Sequence, residues 1–324
     1  MQRRALLAGV AAVAVAVAAG LPVVAGRGGD GDDYPAGPLR IATGPPGGVY
    51  HAYGTGLAEA VRRELPRLDP AVSATAASVQ NLRLVGTGQA EVGFALADSA
   101  ADAVLGRGSF DRPLPVVALA RLYDNYLQLV VRAGGPVHTL ADLRGRRVDT
   151  GAAASGTEVT AARVLAVAGL DPTRDLRRSR LGLDDVVAAL AAGRIDAFFW
   201  SGGLPTAAVA RLARAVPLRL VPLDGTVRAL RERFGDFYVE TAVPAAAYGL
   251  ADAVGTVGVP NYLMVGTAMP AATAYRLTRL LFDRRPELVA AHPEARRLNL
   301  RSAIATYPVP LHPGAERCYR ELSR

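Results

Sequence analysis

Four short stretches carry the residue types best suited to chemistry: Thr43–Gly48 (TGPPGG), Ser78, Ser155–Thr157 (SGT) and Ser201–Gly203 (SGG). Each sits where an apolar, strand-like run gives way to a helical pattern. A helix that opens at such a turn leaves its first N–H groups without intrahelical acceptors, and its dipole places partial positive charge there. Glycine lets a ligand approach the backbone, and Ser or Thr adds a hydroxyl donor. This chemistry holds an anion. In open α/β sheets a ligand sits beyond the carboxyl ends of the strands, so four turns of one kind are expected to face one cleft.

Catalytic patterns are missing. The glycines of the first turn, Gly44, Gly47 and Gly48, do not make GxGxxG, and no GxSxG surrounds Ser78, Ser155 or Ser201. There is no HExxH and no CxxC, so neither a metal nor a cofactor is expected. Asp184-Asp185 reads as the acidic start of a helix. His51 reads as a surface helical residue. The single cysteine, Cys318, allows no disulfide within the chain and lies in a polar terminal segment. No acid, base and nucleophile come together, and an enzyme is not expected.

All 37 residues counted as Lys or Arg are Arg. The lack of lysine removes Schiff-base chemistry and the P-loop. The net charge of +8 is spread among acids, as in Arg62-Arg63-Glu64 and Arg231-Glu232-Arg233. That reads as solvated helix faces, so no nucleic-acid partner is expected.

The elements that position these turns alternate between strand and helix, which argues for an α/β fold with mostly parallel sheets. Strand-like runs include Leu39–Ala42, 71–77, Glu91–Ala97, Ile195–Trp200, Leu218–Val221 and 254–265. Pro115–Arg132 reads as two extended pieces. Helical spacing follows at Tyr50–Leu65, Val79–Gly86, 158–168, Asp184–Ala192, Pro205–Val216 and 270–283. Ahead of them, residues 1–26 pair Arg3-Arg4 with the uncharged run Ala5–Gly26, the layout of an export signal or N-terminal anchor. Left uncleaved, that run would keep the protein close to the membrane. Arg27–Pro38 is a polar Gly/Asp/Pro stretch and is expected to be a flexible linker.

Several segments, in order, resemble the TAXI family of solute-binding subunits of tripartite ATP-independent periplasmic (TRAP) transporters. They are IATGPPGGVYHAYG at Ile41–Gly54, SVQNLRLVGTGQAEVGFALAD at Ser78–Asp98, Leu122-Tyr123 with YLQLVVR after it, Asp142–Leu170, Gly193–Val209, VGVPNYLMV at Val257–Val265, and PLHPGA at Pro310–Ala315. The chain departs from the family pattern at Ala77-Ser78 (often Gly-Ser), Ala154-Ser155-Gly156 (often Gly-Ser-Gly) and Asp124-Asn125 (usually Pro-Glu). The resemblance implies a two-lobed fold of the type II periplasmic-binding-protein kind, each lobe a mostly parallel sheet flanked by helices. Lobe 1 would hold residues 39–127 and 258–324, and lobe 2 residues 128–257. The crossing strands would be Tyr126–Arg132 and Val257–Val265. Thr43, Gly44, Gly48, Tyr50, Ser78 and Asn81 would line one wall of the interlobe cleft, and Ser155, Gly156, Thr157 and Gly203 the other. His312 would be structural or part of a permease-docking surface. The implied function is an extracytoplasmic receptor that binds a small carboxylate, glutamate-like or a dicarboxylate, and delivers it to TRAP-type permease subunits. The alternative is the same fold serving as the ligand sensor of a membrane signalling system.

Overall fold

The computed structural model describes residues 34–324. The expected export segment at 1–26, and the linker as far as Asp33, lie outside the described residues. The end of that linker belongs to the fold. Tyr34 is only 2% exposed and shares a core with Leu39 and Tyr53. Gly37-Pro38 opens the first strand, a position where the missing proline N–H is tolerated.

The chain builds one pattern twice. The first unit runs β1 (Gly37–Ala42), α1 (Val49–Glu64), β2 (Leu68–Ser73), α2 (Ser78–Gly86) and β3 (Val92–Leu96). Next come α3 (Ala97–Leu105) and the long strand β4 (Val116–Arg132). The second unit runs β5 (Arg147–Asp149), α4 (Gly156–Val167), β6 (Arg177–Ser179), α5 (Leu183–Ala191) and β7 (Ala197–Gly202). After α6 (Ala207–Ala215), β8 (Leu218–Val221) and β9 (Val239–Val243) comes the second long strand, β10 (Val254–Gly266). Helices that include Ala271–Asp283 and Pro313–Leu322 follow it.

Within each unit the strands are parallel, ordered β2-β1-β3 and β6-β5-β7. The full order is β2-β1-β3-β10-β4-β7-β5-β6, with β8 also on β4 and β9 on β10. The long strands pair antiparallel with each other and with β3 and β7, so they join the two halves into one mixed sheet. The α/β architecture with two joining strands is the one expected. One core cluster draws on β1, α1 and the C-terminal helices, and a second on α5, α6 and the far part of β4. A third passes beneath both long strands and takes in α3 and α4.

Local reasons account for these elements. In α1, Tyr50, Tyr53, Leu57 and Val61 recur at helical spacing and are all buried. β3 is buried along its whole length, as a strand covered on both faces must be. The two extended pieces expected in Pro115–Arg132 are one strand. Asp124 is held by Arg121 at 2.8 Å and the Asn125 amide by Asn261 at 3.0 Å, so these turn-like residues stay in the sheet. α6 begins at Ala207 rather than Pro205, because Thr206 is its N-cap and donates its N–H to the Tyr248 hydroxyl.

His312 is structural in this fold. It caps the helix Pro313–Leu322, with Nδ1 accepting from the Gly314 N–H at 3.1 Å. That leaves the Nε2 proton to donate to the Met269 carbonyl at 2.9 Å. Burial holds the imidazole below its ordinary range, outweighing the Met269 bond and Glu316. The folded state therefore binds this proton less readily than the unfolded chain, and stability is lost as pH falls below about 6.5. Thermal melts between pH 8 and 5 should show that loss, and His312→Asn, which keeps a capping acceptor, should lessen it. An unchanged slope would exclude this residue.

Candidate functional site

Because the two units share one strand order, each presents the amino ends of two helices at the carboxyl ends of its strands. α1 and α2 follow β1 and β2, and α4 and α5 follow β5 and β6. All four ends border one cavity of about 150 Å3 between the halves. Gly44, Gly48, Tyr50 and Ser78 lie on its wall from the first half, and Ser155, Gly156 and Thr157 from the second.

Thr43, Asn81 and Gly203 are not on that wall. Thr43 is fully buried, and its hydroxyl donates to the Ser73 carbonyl at 2.8 Å. The Asn81 amide donates to the carbonyls of Thr43 and Phe94, tying α2 to β1 and β3. Gly203 packs where the halves touch. A Cβ there would lie 2.8 Å from Glu294 Cγ and 2.9 Å from Val49 Cγ2. The fourth turn also differs from expectation. Ser201 and Gly202 reach the cavity as the end of β7, while the fourth helix end is that of α5 at Gly182-Leu183.

The hydroxyls of the second wall are fixed by the backbone. Ser155 Oγ accepts from the Glu158 N–H at 3.0 Å as the N-cap of α4, and Thr157 Oγ1 accepts from the Ser201 N–H at 3.1 Å. Each keeps its own proton to donate. On the first wall, Ser78 Oγ accepts from the Leu96 N–H at 3.0 Å. The two walls are in contact. A Cβ on Gly156 would collide with the Ser78 hydroxyl and lie 2.7 Å from Leu96 Cδ1, and Gln80 N–H donates to the Ala154 carbonyl at 3.1 Å.

The floor is polar and crosses both long strands. Tyr50 donates its hydroxyl to Asn261 Oδ1. Asn261 Nδ2 donates to Asn125 Oδ1 at 3.0 Å and to the Tyr123 carbonyl at 3.2 Å. Asn125 Nδ2 reaches Ser201 Oγ at 3.4 Å. The β4–β10 register is irregular here: Arg121 faces Tyr262 and Asp124 faces Pro260, so β4 has one residue too many. Such a bulge re-aims side chains. Tyr123 lies in it, lines the cavity and is 3% exposed, and its hydroxyl has no hydrogen-bond partner among the described residues. Burial pushes the phenols of Tyr50 and Tyr123 upward, so both remain protonated donors.

The cavity lining contains one carboxylate and, among the described residues, no Arg or His. That carboxylate, Asp149, is taken up locally. Oδ1 accepts from the Gly151 N–H, and Oδ2 from Ser179 Oγ and the Leu181 N–H at 2.8 Å each. His51 Nδ1 sits 3.4 Å from Thr43 Oγ1, outside the lining. Cys318 is fully buried, and burial pushes its thiol up to about 12.

Sequence reasoning missed Tyr123, Asn125 and the amino end of α5. The repeated β-α-β-α-β pattern was the available signal for the last of these. For the first two it was the polar triplet in an otherwise apolar long strand.

A mixed sheet in two halves, joined by two long strands around a cleft lined by hydroxyls and amides, is a periplasmic-binding-protein-like fold. A protein of Bordetella bronchiseptica has this fold, with a TM-score of 0.53 at 17% identity over 89% of this chain and 98% of that one. The alkanesulfonate-binding protein SsuA of Xanthomonas axonopodis pv. citri is similar at TM-score 0.49 and 18% identity, over 89% and 84%. The periplasmic aliphatic sulphonate binding protein SsuA of Escherichia coli is similar at 0.45 and 17%, over 88% and 90%. The chain belongs to the NMT1-like family, which it matches over residues 41–322.

Two residues, Ala77 in the cavity lining and Ala154 next to the lining residue Ser155, hold backbone conformations that suit glycine. Ala77, the N-cap of α2, has φ 82° and ψ −139°, and Ala154 has φ 62°. Strain of this kind costs on the order of 1–3 kcal/mol, against about 0.5–1 kcal/mol for the extra freedom of glycine when unfolded. Ala77→Gly is expected to stabilise by about 1 kcal/mol, read as a rise of roughly 2 °C in Tm by calorimetry. A fall would mean that the methyl group packs more favourably than the backbone is strained.

Proposed function

We propose that this protein is an extracytoplasmic, non-catalytic solute receptor. It binds a small carboxylate in the cleft and passes it to a TRAP-type membrane permease. The observation that carries the anion is the meeting of four helix amino ends at one cavity whose described lining has no cationic side chain. Hydrogen bonds from such donors to an ionised oxygen are about twice as strong as those to a neutral one. The ordered resemblance to TAXI solute-binding subunits favours the permease as partner, and that family's glutamate-like and dicarboxylate solutes are the first to try. The basic, apolar segment at 1–26 supports export.

In this reading, residues 39–127 with 258–324 form one lobe and residues 128–257 the other. The boundaries fall at Leu127 and Val257, which are paired across β4 and β10. Opening would bend both strands near that pair, and closure would exclude water from the anion.

Protein stripped of solute by unfolding and refolding is expected to give heat on titration with at least one small carboxylate and none with its primary amide. Equal heat with the amide would sink the anion claim. Ser155→Ala combined with Thr157→Ala is expected to weaken binding at least tenfold, about 1.4 kcal/mol. Unchanged affinity would remove that wall from the site.

A further inference from the structure

We infer that the anion bound in this cleft carries one charge and an apolar body: a short monocarboxylate rather than glutamate or a dicarboxylate. The inference rests on the carboxylate reading above and narrows it. Its first ground is charge. The walls supply enough N–H and O–H donors for one carboxylate at the amino ends of α1, α2 and α4, where Tyr50, Ser78 and Gly156 come together. A second carboxylate would lose its water with no cation in the described lining to meet it, which is the costly case. An ammonium group fares little better, because Asp149 already accepts hydrogen bonds from the Gly151 N–H, the Ser179 hydroxyl and the Leu181 N–H.

The second ground is the remaining lining. Leu181, Leu183, Val186, Phe199 and Trp200, with Leu96, offer hydrocarbon, so the rest of the solute is best matched by an apolar chain or ring. The third is size. The cavity is about 150 Å3, a volume that elsewhere takes a benzene ring, which favours a small solute.

The test is calorimetric titration of the stripped, full-length protein with 3-methylbutanoate, 4-methyl-2-oxopentanoate and benzoate against succinate, 2-oxoglutarate and glutamate. The matched primary amides serve as neutral controls. The expected result is a monocarboxylate bound at least tenfold more tightly than every dicarboxylate and glutamate. Tightest binding of glutamate or a dicarboxylate would overturn this inference and leave the carboxylate reading intact. Heat with the amides alone, or with none of the acids, would overturn both.

Discussion

The amino ends of α2 and α4, from opposite halves of the sheet, are pressed against one another at Ser78 and Gly156. Each end carries roughly half a positive charge, and those of α1 and α5 border the same cavity. Like-signed ends at such close range repel, and the one carboxylate in the described lining, Asp149, already accepts three hydrogen bonds. An anion is the simplest group that relieves this. Glycine at position 156 is a steric requirement of the same contact, because any side chain there would strike Ser78 and Leu96.

Other contacts hold the halves together despite that repulsion. Further along α4, Thr160 donates to Asp98 at 2.9 Å, and Arg163 pairs with Asp98 and Asp102, all of them buried or nearly so. Tyr238 adds a bond to Asp98 at 3.1 Å. Beside Gly203, the Leu204 N–H donates to Glu294 at 3.0 Å across the same divide. α4, whose amino end borders the cavity, is thus the helix clasped to α3. Asp102 shows the cost of the arrangement: burial raises its carboxyl above the ordinary range despite two arginine partners.

Much of this was legible in the sequence. The alternation of apolar strands with helical patterns fixed the fold class, and the glycine and hydroxyl turns marked three of the four helix ends correctly in space. Thr43 and Asn81 look like ligand groups because they are polar and adjacent to such turns, yet the backbone of β1, β2 and β3 claims their donors. The fourth helix end was hidden because Gly182-Leu183 has no hydroxyl and the acids after it suggest an ordinary helix start. Tyr123 was hidden for a different reason. Only the register of β4 against β10 reveals a bulge, and register depends on a partner strand far along the chain.

In the proposed complex, backbone amides and hydroxyls hold the charge of the solute between the halves, with no cationic side chain in the described lining. A crystal structure of the protein with its bound solute tests this most directly. Carboxylate oxygens are expected within about 3 Å of the N–H groups that open α2 and α4 and of the Ser78 or Thr157 hydroxyl. A solute seated on an arginine guanidinium, or one that leaves those helix ends to water, would contradict it.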